Sequence, residues 1–208
     1  MTQQYFEARP ASDHQYDRYQ AQVGQHRLHL LTDSGVFSRH QLDYGSKLLV
    51  ESFLDQARID RSSKLLELGA GYGPILIAIA KHFPDWAYTG IEINERAYQL
   101  AQENASSNQV DEAIDWRLGD ATQRIEDLTD QYDFVLTNPP IRAGKAIIQT
   151  FVKRAFDYLR PGGQLWLVIQ KKQGAPSMKK HMDQVFGNVD RVALDKGYWI
   201  LRSNKESD

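Results

Sequence analysis

The sequence predicts an α/β protein built on an open, mixed and mainly parallel sheet with helices on both faces. Three observations carry this. From Lys64 onward, short apolar runs alternate with segments of helical periodicity, the pattern of βαβ units. The first run passes into a helix start through a glycine-rich turn, Gly69-Ala70-Gly71-Tyr72-Gly73-Pro74. Near the end of the chain, residues 189–194 and 197–201 are separated only by Asp195-Lys196, a hairpin-length link that makes this pair antiparallel. With 208 residues and 41% hydrophobic content, there is enough chain for one domain and an appendage.

In chain order, residues 1–14 are polar and aperiodic and contain Pro10, so they read as a loosely docked arm. Residues 16–23 and 27–31 suggest a hairpin turning near Gly24. The loop Asp33-Ser34-Gly35-Val36-Phe37-Ser38 follows, then a helix over 43–53 with Leu48, Leu49 and Phe53 on one side. Strands are expected at 65–68, 88–91 and 114–118, with helices between them at 75–82 and 95–106. A fourth strand, 134–136, ends at Thr137-Asn138-Pro139-Pro140. The helix over 146–159 spaces Ile148, Phe151, Val152, Ala155 and Leu159 at three- and four-residue intervals. A turn is expected at Pro161-Gly162-Gly163, then the most apolar strand, 165–169, placed centrally, and a helix opened by Pro176 and running towards Phe186. This divides the chain into residues 1–60, an arm, hairpin and helix packed on the core, and residues 61–208, the core itself.

Composition narrows the function. The chain has no cysteine, which removes disulfides and thiolate metal sites. No apolar run approaches the roughly 18 residues of a membrane span, and the polar start is unlike a signal peptide, so a soluble cytoplasmic protein without metal or membrane partner is expected. The net charge of −2 hides an asymmetry: residues 1–140 hold 12 Lys/Arg against 21 Asp/Glu, and residues 141–208 hold 13 against 6. The basic excess, including Arg142, Lys145, Lys171, Lys172, Lys179 and Lys180, therefore begins just after the Asn-Pro-Pro turn. It reads either as solvated helix faces or as a nucleic-acid footprint.

In an open sheet of this kind the ligand crevice lies beyond the carboxyl ends of the strands, and all the notable motifs fall there. Glu67 precedes the glycine turn. Its carboxylate opposes a phosphate ligand but suits a cationic one such as S-adenosylmethionine, with its sulfonium and amino group. Glu92 ends the second strand, where an acid accepts from ribose hydroxyls; the alternative is a helix-start charge. Asp120 follows the third strand and can accept from an adenine amine or simply cap a turn. After the fourth, two prolines force the chain out of the sheet as a stiff turn and hold Asn138 and nearby carbonyls in fixed directions. Two acceptors gripping the hydrogens of an exocyclic amine would aim its lone pair at a methyl donor, with neither covalent intermediate nor metal.

With these residues assembled, the chain resembles the class I S-adenosylmethionine-dependent methyltransferases, and more narrowly the small-subunit ribosomal RNA (guanine-N2) methyltransferases. The narrower likeness rests on residues 33–38, Asp43-Tyr44-Gly45-Ser46, residues 67–74 and residues 137–145, and covers roughly 16–203. It implies a Rossmann-like methyltransferase fold with a seven-stranded sheet. It also implies that Phe37 borders the cofactor, Gly69 and Gly71 its methionine part, Glu92 its ribose and Asp120 its adenine, with Glu67, Ala70, Ile93, Ala121 and Asn138 also among the cofactor-binding residues. Asn138, Pro139 and Pro140 would hold the target amine. The basic portion that follows, with Ile141, Arg142, Lys145, Lys171 and Lys172, is then expected to bind ribosomal RNA or the small ribosomal subunit. Two departures stand out. Ile141 occupies the place where many amine methyltransferases carry an aromatic, and the second, degenerate domain of the better-known guanine-N2 enzymes is absent from this sequence. Competing readings are a protein glutamine or DNA adenine methyltransferase, a catalytically silent cofactor-binding module in ribosome assembly, and, more distantly, a dinucleotide oxidoreductase.

Overall fold

The computed structural model describes residues 13–56 and 62–206. The expected arm lies almost wholly outside these residues, as does the boundary at residue 60. Strands β1 (Asp17–Val23) and β2 (His26–Thr32) form an antiparallel hairpin, followed by helix α1 (Tyr44–Gln56). The alternating part runs β3 (Lys64–Leu68), α2 (Pro74–His82), β4 (Ala87–Glu92), α3 (Glu95–Ser107), β5 (Ile114–Leu118), β6 (Tyr132–Thr137), α4 (Lys145–Tyr158), β7 (Leu159–Gln170), α5 (Ala175–Phe186), β8 (Asp190–Asp195) and β9 (Tyr198–Asn204). The large sheet has seven strands in the order β5-β4-β3-β6-β7-β9-β8. The first five are parallel, and β9 runs antiparallel to both β7 and β8.

The two-residue period of the strands sorts the core into two layers. Trp166 and Val168 of β7 join Leu65, Phe134, Leu136 and Ile200 under α1, α2 and α3. Leu165, Leu167 and Ile169 join Leu66, Leu68, Val135 and Leu201 under α4 and α5. Helix α2 is buried all round from Pro74 to Ala80. An apolar helix of this kind needs cover on every side. It gets it from the sheet below and from α1, α3 and β2 around it, so the N-terminal elements complete the core.

Two expectations change. The turn expected at Pro161-Gly162-Gly163 is the irregular start of β7. The Gly162 NH donates to the Lys205 carbonyl at 2.7 Å, and the Lys205 NH donates to the Gly163 carbonyl at 2.8 Å. The tail beyond β9 thus supplies the pairing that makes these residues strand, with a shift of register opposite β6. The late hairpin turns at Lys196-Gly197, one residue later than expected, with φ positive at both positions (45° and 80°) as a tight two-residue β-turn requires. As expected, β7 is interior, flanked by β6 and β9.

Candidate active site

The carboxyl ends of β3, β4, β5 and β6 open into one cavity. Phe37, Glu67, Gly69, Ala70, Gly71, Glu92, Ile93, Asp120, Ala121, Asn138, Pro139 and Pro140 all line it, together with Asp43, Ser46, Tyr72, Ile147 and Phe151. A second cleft adjoins it, sharing Phe37, Asp43, Asn138 and Pro139 and extending to Ile141, Arg142, Gln173 and Tyr198. Lys145, Lys171 and Lys172 line neither. They are exposed on the same edge of the sheet, Lys145 at the start of α4 and the two others in a 3-10 turn directly after β7.

The glycine turn is held from below: the amides of Gly69 and Ala70 both donate to the Ile91 carbonyl at 3.0 Å. Gly71 has φ 58°, which favours glycine, and nothing lies within 4 Å of where its Cβ would be, so its backbone is open to a ligand. Its NH donates to Glu92 Oε2 at 2.7 Å, while the Asn94 NH donates to Oε1 at 2.7 Å. Glu92 therefore ties the first βα turn to the second. Burial raises its pKa and these amide bonds oppose the rise. Its remaining lone pairs suit hydroxyl donors.

Glu67 is 1% exposed, and its Oε2 has no hydrogen-bond partner. Burial first, and the nearby Glu92 carboxylate also, push its pKa well above the ordinary carboxylate range, against an opposing bond from the Leu76 NH. A buried carboxylate with an unpaired oxygen is costly unless a cation completes it. The donor set at this wall thus fits a positively charged cofactor. At Asp120 the capping role is visible: Oδ1 accepts from the Thr122 NH at 2.8 Å and hydroxyl at 2.7 Å. Oδ2 has a longer contact with Gln123, at 3.4 Å.

Phe37 is 39% exposed at the rim shared by the two clefts. Its loop is strapped to α3: Arg96 donates to the Ser34 carbonyl at 2.7 Å, Asn94 Nδ2 donates to the Gly35 carbonyl at 3.1 Å, and buried Asp33 accepts from the Ser34 NH. After β6, the Pro140 carbonyl accepts from the Ala143 NH at 2.9 Å, starting the 3-10 turn Ile141–Ala143. Pro139, which precedes that turn, lines both clefts beside Asn138.

Sequence reasoning missed the groups that hold Asn138. Its Nδ2 donates to Asp43 Oδ2 at 3.0 Å and to Ser46 Oγ at 2.8 Å. Asp43 Oδ2 also accepts from the Ser46 NH at 2.8 Å, so Asp43 caps α1. The sequence marks Asp43-Tyr44-Gly45-Ser46 as a motif of the family likeness but gives it no role, because a contact across 95 positions leaves no local signal. Tyr198 was missed too. A Cβ on Gly45 would come within 2.9 Å of its ring, so glycine is what lets Tyr198 settle beside Asp43 in the second cleft. Among the described residues no cluster of His, Cys, Asp or Glu could hold a metal, and no helix is long and apolar enough to cross a membrane.

A glycine turn led by Glu67, whose buried carboxylate seeks a cation, and the buried Glu92 on the next strand at the same sheet edge fit an S-adenosylmethionine-dependent methyltransferase. The methyltransferase small domain family matches residues 27–202, and the chain belongs to it. It is 34% identical over 205 residues to the uncharacterised protein YbxB of Bacillus subtilis (strain 168), covering 99% of this chain and 100% of that one. It is 28% identical over 181 residues to the ribosomal RNA large subunit methyltransferase G of Streptomyces coelicolor, covering 85% of this chain and 46% of that protein. Its fold is similar to that of the T. thermophilus 16S rRNA N2 guanine methyltransferase RsmC, solved in complex with AdoMet and guanosine. The TM-score there is 0.77, at 24% identity over 92% of this chain and 51% of that one. The chain thus spans about half the length of the two rRNA enzymes.

Proposed function

We propose that this protein methylates the exocyclic amine of a base in ribosomal RNA, most specifically guanine N2 of the small subunit. The carrying observation is that Asn138 lines both clefts and its Nδ2 donates to Asp43 and to Ser46, which leaves its Oδ1 as the acceptor for a substrate. An exocyclic amine is a poor nucleophile because its lone pair is delocalised into the ring. Oδ1 and the Pro139 carbonyl, accepting its two N–H groups, orient that lone pair and stabilise the charge that develops on nitrogen.

When bound, S-adenosylmethionine would supply an electrophilic methyl group, and the proton lost from the methylated amine would pass to solvent. Glu67 would complement its positive charge, the Gly69–Gly71 backbone its methionine part and Glu92 its ribose hydroxyls. Asp120 would face its adenine. In the second cleft Phe37 and Tyr198 offer ring surfaces to the base, compensating for the aliphatic Ile141, and Arg142 offers a cation to the RNA backbone. Likeness to enzymes of both ribosomal subunits supports an RNA substrate. The likeness to RsmC supports guanine N2.

The test is to incubate the protein with methyl-labelled cofactor and, separately, naked rRNA, small subunits, large subunits, DNA and release-factor protein, then digest and identify the labelled product. N2-methylguanosine from small-subunit RNA is expected. Label on DNA or protein would reassign the substrate, and label in none despite cofactor binding would favour a non-catalytic assembly module.

A further inference from the structure

We infer that Asp43 and Ser46 are positioning residues that make Asn138 an obligate acceptor, so that the site reads a hydrogen-bond donor on its target and rejects an acceptor. The inference rests on the amine reading above and goes beyond it in naming what enforces the choice.

A side-chain amide is two-faced. An unrestrained Asn138 would present either its oxygen or its NH2 to the cleft, and the second would welcome a base carbonyl or ring nitrogen as readily as the first welcomes an amine. Here both amide hydrogens are engaged, one by Asp43 Oδ2 at 3.0 Å and one by Ser46 Oγ at 2.8 Å. A carboxylate can only accept, so the flipped amide would set oxygen against oxygen. Discrimination of donor from acceptor would thus be enforced from behind the residue that touches the substrate. The negative charge of Asp43 also polarises the amide and strengthens Oδ1 as an acceptor. The two groups are the cap and the first turn of α1, and Asp43 is held by the Ser46 NH at 2.8 Å, so the geometry is rigid.

Helix capping alone would also explain Asp43, and the test must separate the two roles. Asp43→Ser keeps a good N-cap but is too short and too neutral to hold Asn138, and Ser46→Ala removes the second acceptor without touching the cap. Side-chain amide NMR on ¹⁵N-labelled protein reads Asn138 with no substrate present. Loss of exchange protection and a shift of the Asn138 NH2 pair are expected in both variants. With RNA substrate, turnover of Asp43→Ser should fall roughly 10- to 100-fold, the size of a lost hydrogen bond to a charged group. In an Asn138→Ala background neither substitution should cost anything further, because both act through Asn138. Unaltered Asn138 signals in Asp43→Ser, or losses that persist undiminished in the Asn138→Ala background, overturn the assignment. If the NMR response is seen but the wild type methylates no base amine, the grip on Asn138 stands and the amine reading fails.

Discussion

Glu67 is the residue through which pH should act on cofactor binding. Its carboxyl is buried beside Glu92 with Oε2 unpaired, which raises its pKa well above the usual range. For the cofactor-free protein the sign is fixed. A raised carboxyl contributes stability that is fully present below the ordinary carboxylate pKa and is lost as pH rises towards the raised one. A cation bound alongside favours the carboxylate and reverses this, so cofactor uptake releases a proton within that window. Cofactor affinity should therefore strengthen with pH, by at most about tenfold per unit, and flatten above the raised pKa. Calorimetry in two buffers of unlike ionisation enthalpy reads the proton directly; a wild-type Kd flat across this range would sink the argument. Glu67→Gln should abolish the slope and weaken binding at high pH roughly 10- to 100-fold. Tyr198 makes a second residue-scale prediction. Tyr198→Ala should raise KM for RNA about 5- to 100-fold, the worth of one stacked base, and leave cofactor Kd alone. An unchanged KM would remove Tyr198 from the RNA site. Glu67, Glu92 and Asn138 were legible in the sequence because each sits at a fixed offset from a strand end. Tyr198 was not, and Asp43 and Ser46 stood out only as part of a motif without a role, since what they do comes from contacts between distant segments.

Among the elements, α3 does more than cover the sheet. Asn104 Oδ1 accepts from the Leu31 NH at 2.7 Å, and its Nδ2 donates to the carbonyls of Leu31 at 2.9 Å and Tyr72 at 3.0 Å. One turn on, Asn108 makes the same reciprocal pair with the NH and carbonyl of His29. Two amides at i and i+4 thus stand in for a neighbouring strand along the open edge of β2, and the first also pins the glycine turn. Asn104→Ala would leave three buried main-chain groups unpaired, a loss of roughly 2–4 kcal/mol. Thermal unfolding should register it as a drop of roughly 5–15 °C in Tm, with weaker cofactor binding through Tyr72. A drop below about 2 °C would mean that water or a shift of the hairpin replaces the asparagine. The helices and strands themselves could be read locally, because apolar periods of two and of three to four leave distinct traces. Where pairing came from afar, local reading failed. Glycines 162 and 163 look like a turn until Lys205 lies beside them, and Asn104 looks like a polar residue in a surface helix.

Over the whole molecule, the charge asymmetry of the sequence becomes an asymmetry of the sheet. The order β5-β4-β3-β6-β7-β9-β8 puts the strands of the acidic half on one side and those of the basic half on the other, with Asn138 at the end of the strand next to β3. The order itself was not legible, since it depends on which strands pair and not on any local pattern. The break in charge after Pro140 was, and it falls at the strand where the order reverses. Arg142, Lys145, Lys171, Lys172 and Lys196 are all exposed at the carboxyl edge on the basic side, beside the second cleft. RNA laid there would displace counterions, so its affinity should fall steeply with salt. Lys171→Glu with Lys172→Glu should lower RNA affinity and reduce the slope of log K against log salt by about 2, one for each phosphate no longer neutralised. Lys64 is the matching control, an exposed lysine at the opposite, amino edge of β3, and Lys64→Glu should leave both quantities unchanged. Cofactor affinity, set on the β3–β5 side, should be the same in all three proteins. Equal slopes for the double reversal and the control would place the RNA on another face of the protein, and the basic half would then be only a solvated surface.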